Sequence, residues 1–207
     1  MLQFTPMSAT ELKRLRCRPI QTGENPHHNA GFTLLELIMG LGFMVVMSAI
    51  IAPNLQASLS AYRLNSALSS LAGKITVAHY KAMSGNTDFE VAISTTSNSY
   101  QLDQLTSSNP RTFGLAAGEE SINLPTSVSF GYGTVTTAAG DAGEQPSLAQ
   151  SSAIAFNSLG MPVDSNGNPT PANAFYLTCN GQVGAVTVSQ AGKVESWLWN
   201  GNAWVAL

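Results

Sequence analysis

From Phe32 to Ala52 the chain is an apolar run that opens Gly31-Phe32-Thr33-Leu34-Leu35-Glu36 and holds Glu36 as its only charge. Wound as a helix at 1.5 Å per residue, such a run reaches about 30 Å, the thickness of one hydrocarbon core. An ionisable side chain at mid-bilayer costs about 2.5–3.5 kcal/mol on insertion scales, and less near an end. Glu36 stands near the start of the run, where the penalty is smaller and a partner can reach it.

Three readings fit the run by pattern alone: a secretory signal peptide, a plain single-pass anchor, or a specialised segment. A signal peptide needs a basic region, a short apolar core and a small-x-small cleavage site just beyond it. Lys13, Arg14, Arg16 and Arg18 supply the basic region, but the polar stretch Gln21–Asn29 separates them from a core that is too long. The best cut-like site beyond the core is the weak Asn54-Leu55-Gln56-Ala57.

The heptapeptide Gly31-Phe32-Thr33-Leu34-Leu35-Glu36-Leu37 resembles the class III signal of type IV pilins and type II secretion pseudopilins. The resemblance implies that a membrane aspartyl peptidase, the prepilin peptidase, cuts after Gly31 and methylates Phe32 as the new N-terminus. It gives Glu36 the family's fifth-position carboxylate role, and it puts Pro53 where many members kink their long helix. The physics is compatible. The basic leader stays cytoplasmic by the positive-inside rule, which directs everything after Ala52 outward. A new amine on Phe32 needs a negative partner in a low-dielectric setting, and Glu36 of a neighbouring subunit could supply one, lowering the penalty on both ions. Glu36 would then set register during subunit addition.

Charge divides the molecule in two. Up to Gly31, Lys13, Arg14, Arg16 and Arg18 outweigh Glu11 and Glu24. Beyond it, Arg63, Lys74, Lys81, Arg111 and Lys193 are outnumbered by acidic residues, so the mature part argues against a general phosphate-binding surface. Cys17 lies in the leader, which leaves Cys179 alone; it is either buried and inert or paired between molecules. The domain must therefore fold on its core, and about 120 residues suffice for that.

After the apolar run, Leu64, Leu68, Leu71, Ile75, Ala78 and Ala82 recur at spacings of four and three, an apolar stripe on a helix. Leu55, Leu59 and Tyr62 extend the tendency back to Pro53, which removes a backbone donor and should bend the helix. Gly85-Asn86 ends a helix predicted from about Phe32 to Met83. Strands follow. Phe89–Ile93 and Tyr100–Leu105 alternate around a polar turn, a hairpin signature. Further strands are predicted at Ile122–Leu124, Ser127–Tyr132, Ala153–Asn157, Ala174–Cys179, Gln182–Ser189 and Val194–Leu198, with a loop over Thr134–Ser152. Asn200-Gly201 predicts a type I′ hairpin that sets Trp197 opposite Trp204.

The later part narrows the match. Ala153-Ile154-Ala155-Phe156-Asn157-Ser158-Leu159-Gly160-Met161-Pro162 resembles the strand–turn segment of the GspH/FimT family of minor pilins, and Val186-Thr187-Val188-Ser189 with Gly192-Lys193-Val194 resembles its closing strands. The resemblance runs from residue 31 to about 198. Two departures stand out: the leader is long for secretion members, so the natural start is expected later than Met1, and the basic C-terminal residues of DNA-capturing members are mostly absent.

Other constellations have simpler readings. Asp164-Ser165-Asn166-Gly167-Asn168 has oxygen ligands at alternate positions, but its glycine is fourth rather than sixth and no acid closes the loop, so an Asn-Gly turn is expected rather than a calcium site. His27 and His28 fall in the leader, and His79 alone is expected to be a surface or packing residue. One histidine assembles no Ser–His–Asp or Cys–His site. Asp103, Glu119 and Glu120 could pair for acid–base work but read more simply as solvated loop charges. Trp197, Trp199 and Trp204 read as core packing or as a partner-facing patch.

The expected fold class is α+β and pilin-like: a long N-terminal helix, membrane half then amphipathic half, packed on an antiparallel β-rich domain. The parts are a leader at 1–31, a membrane and assembly helix at 32–53, its amphipathic continuation at 54–84, and a GspH-like periplasmic domain at 85–207. The resemblance implies a non-enzymatic minor pseudopilin, with no cofactor and no metal, near the tip of a type II secretion pseudopilus; the alternative is a minor type IV pilin that primes pilus assembly or captures DNA. Its implied partners are other pilins or pseudopilins, the prepilin peptidase, an inner-membrane assembly platform and the membrane, with nucleic acid not expected.

Overall fold

The structure is a computed structural model that describes residues 31–140, 148–164 and 166–207, with backbone alone at 50–54. It divides into two compact units, Met1–Val46 and Met47–Leu207. One helix, α1 (Leu34–Gly85), is followed by β1 (Phe89–Ser94), β2 (Ser99–Ser108), β3 (Arg111–Leu115), β4 (Ile122–Asn123) and β5 (Val128–Phe130). The later strands are β6 (Ala153–Phe156), β7 (Pro162–Val163), β8 (Asn173–Cys179), β9 (Gln182–Val188), β10 (Val194–Trp199) and β11 (Trp204–Ala206). The backbone is helical through Pro53, and Asn86 takes a positive φ just past the end of α1, a left-handed stop.

The strands form two antiparallel sheets. One orders β3-β2-β1-β6-β7 with β4 also on β2; the other orders β11-β10-β9-β8-β5. The stripe residues Leu64, Leu68, Leu71, Ile75, Ala78 and Ala82 are all buried, and they share one core with Val91, Tyr100, Leu102 and Phe156 of the first sheet and Phe175, Leu177, Val186 and Val188 of the second. A sheet alternates its side chains between faces. The other face of β8 and β9 therefore carries Ala174, Tyr176 and Ala185, and with Ala139 and Trp197 these make a second core.

The stripe stops earlier than its spacing suggests. Leu55, Leu59 and Tyr62 are exposed, Tyr62 at 73%. The limit is Ser60, buried beneath the β8–β9 turn, where its hydroxyl accepts a hydrogen bond from Asn180 Nδ2 at 2.8 Å. Before Ser60 the described helix residues 55–59 are exposed, Leu55 and Leu59 among them; Tyr62 lies past Ser60 but off the Leu64–Ala82 stripe, so periodicity alone over-reaches.

Two Asn-Gly pairs turn differently. At Asn180-Gly181 both residues have positive φ and Cys179 pairs with Gln182, a two-residue type I′ connection. At Asn200-Gly201 only the glycine does. There the Asn200 carboxamide oxygen accepts the N–H groups of Asn202 and Ala203 at 2.9 and 2.8 Å, which lengthens the loop to four residues. The register predicted for Trp197 is thereby corrected: Trp199 faces Trp204, and Trp197 faces Ala206.

Candidate assembly segment

In the first unit, Gly31 and Phe32 precede α1 in non-helical backbone, and Phe32 is 82% exposed. Thr33 caps the helix: its carbonyl accepts the Leu37 N–H at 3.1 Å and its hydroxyl accepts the Glu36 N–H at 3.2 Å. Glu36 thus sits in the first turn, where the dipole of the helix favours a carboxylate. Sequence reasoning missed Thr33, although Thr-x-x-Glu is the spacing of a capping box. Around the acid, Phe32, Glu36, Leu37, Gly40, Leu41 and Met44 line one shallow groove, almost entirely apolar. Leu34, Leu35, Leu37, Ile38, Met39, Leu41, Phe43, Val45 and Val46 are exposed on every side of the helix.

Among the described residues no helix is long and apolar enough to cross a membrane. The run 32–52 extends into residues 50–54, whose side chains, Pro53 included, lie outside the described set, as do the leader cations Lys13, Arg14, Arg16 and Arg18.

In the second unit the weighed acids take definite places, and two of them are not the solvated loop charges expected. Asp103 is 6% exposed within β2, and both its oxygens accept from Gln101 Nε2 at 2.9 and 3.0 Å. Glu119 is clamped between Lys74 at 2.8 Å and Lys81 at 2.5 Å. Hydrogen bonds from these two ammonium groups hold its carboxyl below the usual range. Glu120 alone is exposed. Asp103 and Glu119 are engaged with different partners.

The Asp164 turn is tied to itself: its carboxylate accepts the N–H groups of Asn168 and Asn166, each at 2.8 Å, and its pKa is lowered accordingly, the Asn168 bond first. Among the described residues no group of acids, histidines and cysteines is placed to hold a metal. Cys179 is buried. His79 is a packing residue, its ring 5.1 Å from that of Phe156. Gly160 and Gly192 close over it so tightly that a β-carbon on Gly160 would stand 2.6 Å from His79 Nε2. The two segments that resemble GspH/FimT members therefore meet at this side chain.

The tryptophans mostly pack. Trp197 is 7% exposed, and its indole donates to Thr187 Oγ1 at 2.9 Å. Trp204 donates to the Thr137 carbonyl at 2.9 Å and stacks edge-on against Trp199, ring centres 5.4 Å apart. Tyr176 accepts the Ala139 N–H at 3.1 Å, and burial raises its pKa. These bonds fasten Thr137 and Ala139 to the second sheet.

No family model and no curated protein matches the chain. Solved structures do. The chain is similar to the minor pseudopilin EpsH from the type 2 secretion system of Vibrio cholerae, at 12% identity and TM-score 0.44, over 70% of this chain and 97% of that one. It is also similar to the type IV minor pilin FimU of Pseudomonas aeruginosa, at 14% identity and TM-score 0.47, over 70% of this chain and 94% of that one.

Proposed function

We propose that this chain is a minor subunit of a pilin-like filament. Cleavage after Gly31 frees Phe32, which is N-methylated; segment 32–53 is held in the inner membrane and then among neighbouring subunits, and residues 85–207 form a periplasmic domain. The placement favoured is at or near the tip of a type II secretion pseudopilus, where the protein supports filament assembly and secretion across the outer membrane. A minor type IV pilin is the alternative. The role is structural rather than enzymatic.

One observation carries the reading: a capped helical segment exposes large apolar side chains all round while holding a single carboxylate in its first turn. Apolar surface of that extent is unfavourable in water and is covered by lipid or by other helices. The test is the mass of the protein extracted from membranes. A mature chain beginning at Phe32 and carrying one methyl group is expected; an intact leader overturns the reading.

DNA capture is disfavoured by a second observation. Four of the five cations beyond Gly31, namely Lys74, Lys81, Arg111 and Lys193, are each engaged with a carboxylate of the same domain, at Glu119, Glu119, Asp88 and Glu195. Electrostatic binding to a duplex needs cations free to displace its counterions. Retention of duplex DNA by the full-length protein at low salt would reverse this ranking.

A further inference from the structure

The outer face of the first sheet holds an arrangement the assembly role does not use. Glu90 on β1 lies directly opposite Asp103 on β2. Side chains so placed stand about 4.5–5.5 Å apart at their β-carbons, and like charges there repel. Asp103 is buried, and Glu90 is partly so. Little charge offsets them. On the preceding stretch Asp88 claims the Arg111 guanidinium of β3, which also lies over the Phe113 ring at 5.3 Å. From β6 the residue opposite Glu90 is Ala155, which carries no charge. The 164–168 turn brings Gly167 against Arg111, while its one acid, Asp164, is spent on its own backbone. Glu90 therefore faces Asp103 beside a guanidinium that is already paired with Asp88.

We propose that the Glu90–Asp103 pair makes the β-domain responsive to pH, so that the fold tightens as its surroundings acidify from neutrality. Glu90 is the member that takes up the proton: it lies half-buried opposite Asp103, whose two oxygens are occupied by Gln101 Nε2. Burial, then the charge of Asp103, raises the Glu90 pKa from 4.5, against a smaller opposing effect of Arg111. The folded chain thus holds this proton more tightly than the unfolded chain. The stabilisation is complete below about pH 4.5 and is lost as pH rises through the folded value. Most carboxylates held by cations act in the opposite sense, so the pair works against ordinary acid unfolding.

The test compares full-length parent and Glu90→Gln in detergent at pH 7.5 and pH 4. Glutamine mimics the protonated acid. It should raise the Tm at pH 7.5 by about 2–4 °C and leave it unchanged at pH 4. In an Asp103→Asn background the gain at pH 7.5 should shrink. A Tm at pH 7.5 that is equal or lower in Glu90→Gln, or an offset identical at both pH values, overturns the proposal. Either result is decisive even if Asp103→Asn fails to fold, and it is independent of whether the leader is cut or the protein enters a filament.

Discussion

Leu68 occupies the space that a side chain on Gly184 would need: a β-carbon there would lie 2.5 Å from Leu68 Cδ1 and 3.2 Å from the Trp197 carbonyl oxygen. Helix and sheet meet at this point because one partner has no side chain. Leu68 is fully buried, so its methyl can yield only by displacing the core around it. Overpacking of this kind costs about 1–3 kcal/mol. Gly184→Ala should therefore lower the Tm of the full-length protein by several degrees. Combined with Leu68→Ala, the two losses should be less than additive, because the added methyl enters the space the leucine leaves. Equal Tm values for Gly184→Ala and the parent would refute the close approach.

The clamp on Glu119 makes a prediction of opposite pH sign to that of Glu90. Lys74 and Lys81 lower the Glu119 pKa, so the clamp's contribution is present above about pH 4.5 and fades as pH falls through the folded value. One carboxylate serving two partly exposed lysines is worth about 1 kcal/mol, since solvent and salt screen such pairs. Glu119→Gln should lower the Tm by about 2–4 °C at neutral pH, with the difference narrowing in acid and in high salt. A deficit independent of both would mean that Glu119 acts through packing.

The helix was legible because its stripe and its cap obey local rules. Leu64 to Ala82 repeat at helical spacing, and each is buried as that spacing requires. What the stripe could not reveal is where the covering sheet ends, because that depends on the β8–β9 turn reaching Ser60 from 120 residues away. β3 escaped notice for a related reason: Arg111-Thr112-Phe113-Gly114-Leu115 is an edge strand with no buried face, so it lacks the alternation that marks a strand. Asn180-Gly181 and Asn200-Gly201 look alike in sequence, and the side-chain bonds of Asn200 go with the longer turn. The acids were harder still. The clamp on Glu119 and the facing of Glu90 with Asp103 arise from register, which composition does not encode. At the N-terminus, by contrast, Thr33 and Glu36 were both readable, and only the first was overlooked.

Trp197 is polar at one end and buried throughout, so its indole N–H depends on Thr187. Thr187→Val keeps the shape of the side chain and removes the acceptor, leaving a buried donor unmet at about 1–3 kcal/mol. The variant should lose several degrees of Tm. Thr187→Ser, which keeps the oxygen, should fall closer to the parent. Should valine and serine behave alike, the hydrogen bond contributes nothing and only the methyl matters.

Glu36 offers the sharpest separation between a local and an intermolecular role. As the acid of the first turn, it gains from the helix dipole by about 0.3–1 kcal/mol, and Thr33 as cap adds about 1 kcal/mol. If capping were all that mattered, Thr33→Ala would impair assembly at least as much as Glu36→Gln, since it removes the larger of these local contributions. If Glu36 answers the amine of a neighbour's Phe32, the charge is what counts, and the order reverses. Glu36→Gln and Glu36→Leu should both be cut and methylated yet be depleted from filaments at least tenfold relative to the membrane pool. Thr33→Ala should enter filaments at near-parental levels, and Glu36→Asp should fall between. Comparing filament and membrane fractions by quantitative mass spectrometry, with the N-terminal peptide read in the same run, distinguishes the cases. Parental incorporation of Glu36→Leu would remove the pairing and leave the carboxylate as a feature of the helix start alone.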